Sequence, residues 1–383
     1  MNENMKDFDM IRKIMVWAGQ WQEFSTYPRL KIFLQKFRVT YLMVLSPLPL
    51  TSMFLSGFMD SLSKYALFAV GATLIDPMAY SFFFEWDLAK KVYTRLRAIV
   101  ARRDSEEHIK RFKTKSRPIW IVVAVYALFT FLFVFFYEIM PYFYDAYLFL
   151  FTGSDKPFMT PIPNQGFMDK EPKRTFYYYC SNVFTTLWCM DLAMIVFGFD
   201  SLTYLVVIYT CIEVEIISER VKSWGEKGAD PAELREIIEE HNEVLRLTDD
   251  MIELLGGPMA SQNTVGSLAI TIFAYTVLVK YETDLFLVIV NGLSVGLTFL
   301  VIATANYVGD RLEDEGVRFF QSLYDTPWYN MPQKERKAIR IMMCQAVKPL
   351  VITYKGWSPL NFVTLMDVVN ASYSYFMVLK SMN

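Results

Sequence analysis

Apolar residues gather into long blocks along this chain, separated by shorter charged stretches. A helix that crosses a bilayer needs roughly 20 mostly apolar residues. Windows of that kind fall at 39–59, 65–84, 119–140, 183–209, 259–280, 284–306 and 357–380. Pro47, Pro49 and Pro77 interrupt the first two, which a packed bundle tolerates because neighbouring helices and hydroxyls satisfy the freed backbone groups. The pattern predicts an all-α membrane protein with seven transmembrane helices, a single membrane domain over 1–383. The sequence also closes inside such a block, at Phe376, Met377, Val378 and Leu379, so the last helix is expected to matter to its final turn.

Charge orients these spans, because Lys and Arg concentrate on the cytoplasmic side. With Lys280 and Lys380 counted in the segments they border, alternate segments hold 31 Lys and Arg on one side and 7 on the other. The expected topology has the N-terminus inside and the C-terminus outside. A G-protein-coupled receptor has the inverse arrangement. Here the third span runs into FFYEIMPYFYDAY rather than an Asp-Arg-Tyr motif, and the last carries no Asn-Pro-x-x-Tyr.

Several apolar stripes lie outside the spans. The helical pattern from Phe176 runs on to Ile217, about 63 Å at 1.5 Å per residue and twice the hydrocarbon thickness. Val214, Ile217, Val221 and Trp224 share one face. Asp230, Pro231 and Glu233 read as N-cap, first turn and capping partner of another helix, striped by Leu234, Ile237, His241, Val244, Leu245 and Thr248. A basic amphipathic helix begins at Pro332, with Ile339, Met342, Met343, Ala346 and Val347 on its apolar face. Such faces need burial, which predicts a cytoplasmic helical anchor built from 210–258 and 308–350 with 85–117, and a principal subunit interface there.

Composition agrees: 54% of residues are hydrophobic and 16% aromatic, with a net charge of −2. That balance points to a lipid bilayer and gives no reason to expect nucleic acid. Four scattered cysteines are too few for a disulfide framework. His108 and His241 lack ligand spacing, and no P-loop, G-x-S-x-G, H-E-x-x-H or C-x-x-C occurs, so no enzyme activity, cofactor or metal is expected. Asp76, Asp191 and Asp200 lie within spans, where burial is costly. A transporter would pair such groups with cations near the midplane, and here inter-helix hydrogen bonding is the expected job.

Two further features point to a ligand and a pore. Aromatics crowd the third span and the start of the fourth, on the outer half if the N-terminus is inside. Part of this is an interface belt; the rest suits an apolar pocket between helices. Phe129, Phe133, Tyr137, Phe184 and Trp188, with Ala72 and Ile75 from the second span, are its expected lining. In the last span Asp367, Asn370, Ser374, Val378 and Ser381 recur every three or four residues. Small residues packing helix on helix give much of this pattern, and so would one wall of a water-filled pore with a hydrophobic constriction. One helix encloses no pore, so the second reading demands an oligomer.

Over its whole length the sequence resembles the insect odorant receptors. The resemblance rests on the inverted seven-span topology, the helix after the sixth span (MPQKERKAIRIMMCQAVKPLVITYKGWSPLNF) and the closing DVVNASYSYFMVLK. Related gustatory receptors tend to end in a Thr-Tyr segment leading to Gln-Phe. The resemblance implies an odorant-gated, non-selective cation channel of four subunits in the plasma membrane of olfactory sensory neurons. A small volatile ligand would bind in the outer half and a pore helix, 357–382, would line the axis, with Val378 and Met382 closing it beside Ser374 and Ser381. Ligand-tuning subunits of this family partner a co-receptor in a heterotetramer, and the co-receptor carries a long insertion between the fourth and fifth spans that residues 218–257 leave no room for. A gustatory-type channel or a membrane transporter are the other readings.

Overall fold

The computed structural model describes residues 5–17, 85–153, 176–226 and 230–382, with isolated positions at 21, 37 and between 70 and 81. Among the described residues every regular element is a helix. Five are long and apolar enough to cross a membrane, and they take up the five spans expected from residue 119 onward. The two expected at 39–59 and 65–84 lie largely outside the described residues, and Ala72, Ile75 and Asp76 with them.

A short helix opens the fold, α1 (Met5–Trp17). Phe8, Ile11 and Met15, spaced three and four apart, are fully buried, and the Phe8 ring stands edge-on to Tyr93 and Tyr209. Asp7 accepts hydrogen bonds from Trp120 Nε1 at 2.9 Å and Tyr209 OH at 2.6 Å. Helix α2 (Trp86–Ala101) turns at 102–105 into α3 (Glu106–Val134), whose N-cap Ser105 accepts from the His108 amide. The expected third span was to end near Met140. Instead the rod continues through a π-turn (Phe135–Ile139), α4 (Met140–Tyr147) and a second π-turn (Leu148–Thr152). No glycine intervenes until Gly153, whose left-handed φ of 63° ends the helix.

Three rods make the centre: α5 (Phe176–Glu226, 51 residues), α6 (Pro231–Lys280, 50 residues) and α7 (Leu285–Tyr324, 40 residues). At 1.5 Å per residue they run roughly 60–77 Å, well beyond a bilayer core. Asp230 caps α6 by accepting from the Ala232 amide at 3.0 Å. A 3₁₀ turn (Trp328–Asn330) and α8 (Gln333–Ala346) follow, then an irregular strap over 347–361, then α9 (Phe362–Ser381). The last helix thus starts at Phe362 rather than 357, where the Asn361 side chain accepts from the Thr364 amide.

Helix α6 runs unbroken through Gly256-Gly257-Pro258, where the expected anchor segment 210–258 meets the expected span at 259–280. The glycine serves tertiary packing: a Cβ on Gly256 would sit 2.6 Å from the Thr353 carbonyl, and one on Gly309 would strike the Leu360 carbonyl. These two absent side chains let the strap lie directly on α6 and α7.

At the end of the bundle that holds α1, the stripes left over outside the spans close on one another. Val214, Ile217, Val221 and Trp224 of α5 pack with Leu234, Ile237 and Val244 of α6, Phe319 and Leu323 of α7, and Ile339 and Met342 of α8. Each fully buried side chain is worth about 1.5–3 kcal/mol. Val347, expected on the same face, is instead exposed, as are Ile341, Tyr324 and Tyr329. Ion pairs clamp the α2–α3 corner onto this end: Lys91 and Arg95 to Asp250, Arg103 to Glu213 and Glu240, Arg111 to Glu219.

Candidate functional site

Among the described residues, helix α9 is attached along one face only. Thr364, Val368 and Ser372 are buried, and Phe376 and Leu379 pack with Ile272, Tyr275 and Val279 of α6. Ser372 Oγ donates to the Ser267 carbonyl at 3.0 Å, and Thr271 Oγ1 donates to the Ser372 carbonyl at 3.0 Å. Ser374, Val378, Ser381 and Met382 are all exposed, Val378 by 56% and Met382 by 66%. Their hydroxyls are satisfied inside the helix, Ser374 on the Asn370 carbonyl and Ser381 on Val378. The four residues expected to line a pore therefore share the surface that this chain leaves uncovered.

Of the expected pocket, Phe129 and Phe133 are half-buried on α3, and Phe133 packs against the main core. The Phe129 ring lies 3.8 Å from where a Cβ of Gly296 would be, which brings in α7, a helix that the aromatic pattern did not flag. The available signal was the run NGLSVG at 291–296, small residues on a helix beside large ones. Tyr137, Phe184 and Trp188 occupy helical positions, but their side chains lie outside the described residues, as do Ala72 and Ile75.

Deeper between the spans, Asp200 is fully buried. Tyr126 OH donates to its Oδ2 at 3.2 Å and Gln262 Nε2 to its Oδ1 at 3.2 Å, the inter-helix bonding expected of it. Gln262 was not foreseen, since an isolated Gln in an apolar block carries no distinguishing pattern.

Beyond the spans, at the α1 end, the electrostatics are those of a packed domain. Glu213 is fully buried with Arg103 Nε at 3.1 Å; burial pushes its carboxyl up to about 6, against the pull of the guanidinium. Arg103 is held above its ordinary value because Glu213 and Glu240 together outweigh its own burial. His241 is buried with its ring 4.4 Å from that of Phe319, and burial drives its pKa down to about 4. It is a packing residue: among the described residues no group of His, Cys, Asp or Glu is arranged to hold a metal.

Comparisons with known proteins agree with this architecture. The family described as 7tm Odorant receptor matches residues 78–373. Odorant receptor 85b of Drosophila melanogaster is 24% identical over 168 residues, 43% of this chain and 42% of that protein. The odorant receptor coreceptor of Aedes aegypti is 25% identical over 147 residues, 37% of this chain and 30% of that one. These alignments thus span less than half the length of either relative. The olfactory receptor OR5 of Machilis hrabei, solved in complex with eugenol, superposes with a TM-score of 0.83 at 14% identity, covering 99% of this chain and 98% of that one; at such identity the likeness establishes the fold. A family match over three quarters of the sequence and a shared fold from end to end establish that the chain belongs to the insect odorant receptors, multi-pass helical membrane receptors and not enzymes.

Proposed function

We propose that this receptor is the ligand-tuning subunit of an odorant-gated, non-selective cation channel, assembled with a co-receptor into a heterotetramer. The observation that carries the reading is the one-sided attachment of α9. Ser374 and Ser381 recur on its open surface beside Val378, a narrow stripe that suits one wall of a shared aqueous axis closed by an apolar step, while Val363, Met366, Tyr373 and Met377 are exposed around it. Met382 and Val378 supply the hydrophobic closure. The tuning role is supported by the length of the sequence between the fourth and fifth spans, where residues 218–257 leave no room for the co-receptor's insertion.

In this reading the α1 end is cytoplasmic, in keeping with its excess of Lys and Arg. The surface of α8 left open at Ile341 and Val347 meets neighbouring subunits in the anchor. A small volatile organic ligand binds in the outer half among Phe129, Phe133, Tyr137, Phe184 and Trp188, together with Ala72 and Ile75, and with α7 contributing at Gly296. The membrane is that of an olfactory sensory neuron.

The test is co-expression with a co-receptor and whole-cell recording during rapid application of a panel of volatiles. A cation current rising within milliseconds is expected, together with intracellular labelling of an N-terminal tag and extracellular labelling of a C-terminal one. A response that needs added G protein, or an extracellular N-terminus, would overturn the proposal.

A further inference from the structure

Resting on that channel reading, we propose that Tyr126, Asp200 and Gln262 are positioning residues for gating, a buried polar link that makes α6, and α9 with it, follow movements of α3. All three are at least nine-tenths buried. Among the described residues no Lys or Arg pairs with Asp200; its hydrogen bonds come from Tyr126 on α3 and Gln262 on α6. One carboxylate on α5 thereby ties together two helices from different sides of the bundle.

The link has pocket at one end and pore at the other. Phe129 and Phe133 stand three and seven residues beyond Tyr126, on the same helical face. Between them the Thr130 hydroxyl is buried without a hydrogen-bond partner. On α6, the residue after Gln262 is Asn263, which accepts from Asn306 of α7 at 2.9 Å and donates to Ser358 of the strap at 3.5 Å. Four and eight residues beyond that, Ser267 and Thr271 hold Ser372 of α9. Hydrogen bonds thus join α3 to α5, α5 to α6 and α6 to α9, with helix α6 itself spanning from Gln262 to Thr271.

Buried polar bonds of this kind add a directional constraint to the packing around them. A buried hydroxyl drawn away from a carboxylate leaves both groups unsatisfied in a low-dielectric interior. When a ligand shifts α3 at Phe129, α6 must follow or the Asp200 carboxylate loses a donor. Such a link is measurable as a coupling energy between its members.

The experiment is a double-mutant cycle in cells co-expressing the co-receptor, using Tyr126→Phe, Asp200→Leu and both together, with two agonists of different potency and surface density measured by labelling. Each single variant is expected to lower potency or maximal current about tenfold for both agonists, to keep their ranking, and to reach the surface at wild-type density. The double variant is expected to be no worse than the more impaired single one, because both break one link. Gln262→Met repeats the test from the α6 side and covers a failure of Asp200→Leu to fold. Additive losses, or wild-type responses at normal density, would overturn the proposal. So would a reversed agonist ranking, which would make Tyr126 a pocket residue. Reduced density with wild-type response per receptor would also overturn it, since that is what a merely structural staple does. A wild-type receptor that gives no current to any volatile defeats the channel reading instead.

Discussion

Helices α5 and α9 are both apolar enough to span a bilayer, with mean hydropathies of 1.9 and 1.3 over their spanning windows, yet 76% of the first window is buried within the chain and 11% of the second. Every residue from Gly198 to Val214 on α5 is buried, including Asp200 and Glu213, each met by specific partners. On α9 the side chains in contact with the rest of the chain form a single stripe, and the polar groups on the open side bond only to their own helix. Hydropathy therefore places a helix in the membrane without saying what surrounds it. The difference separates a helix whose surface is committed to folding from one whose surface is free for another role, and it is open to direct attack by mutation.

The largest effect belongs to the wrapped helix. Trp224 is fully buried and its Nε1 donates to the Asp230 carbonyl at 2.8 Å, so Trp224→Ala removes a core side chain and a bond that fixes the α5–α6 join. A change of this kind costs about 3–5 kcal/mol, comparable to the whole stability of many domains. Monodisperse receptor in a detergent extract should disappear. Wild-type yield and melting temperature for Trp224→Ala would mean that α5 is not the committed scaffold described here.

On α9 the expected outcome is reversed. Val378 is more than half exposed, so Val378→Ser should change stability by less than about 0.5 kcal/mol while altering function. With the hydrophobic ring weakened, ligand-free current should rise several-fold at unchanged surface density, less if co-receptor subunits supply most of the ring. A normal basal current with a normal ligand response would move the constriction away from residue 378.

A smaller and finer contrast tests the stripe itself. Cysteines at Ser374 and Val378 should react with charged thiol reagents, at 374 mainly when ligand is present if the reagent comes from outside. A cysteine at Phe376, which packs on α6, should be protected. Equal modification at all three positions would show that α9 has no privileged face.

How much of this was written in the sequence depends on the kind of interaction. The spans from 119 onward follow from apolar run length, a local property. The stripes on α5, α6 and α8 follow from period, and most of their residues are buried, but the sequence does not say that they bury mostly against each other, since a stripe does not name its partner. Helix α1 was missed although Phe8, Ile11 and Met15 carry helical spacing, because so short a segment needs tertiary contacts to be stable. Gly256-Gly257-Pro258 reads locally as a break. Its reason is the Thr353 carbonyl nearly a hundred residues away, which no window can contain. In the candidate site, Phe129 and Asp200 were legible as residue types out of place or crowded, whereas Gly296 and Gln262 gain meaning only from what stands opposite.

The smallest predicted effect concerns pH on the wrapped side. His241 has a folded pKa of about 4 against an ordinary 6.5, because burial against Phe319 disfavours the charged ring. Between those values the unfolded chain binds a proton that the folded one does not, so stability is lost as pH falls from 6.5 toward 4, by about 2 kcal/mol at pH 5. Glu213 acts in the opposite sense. Its folded pKa of about 6 lies above the ordinary 4.5, so the folded state holds a proton that the unfolded state has released, and stability is gained as pH falls from 6 to 4.5. The wild-type melting temperature should therefore depend only weakly on pH between 7 and 5, with two opposed contributions hidden in it. His241→Phe removes one of them and should become more stable than its own pH 7 value on acidification, a gain of about 1 kcal/mol. Parallel pH profiles for wild type and His241→Phe would show that His241 is hydrated in the folded receptor, and that the α5–α6–α7 junction at this end is not the dry core its burial implies.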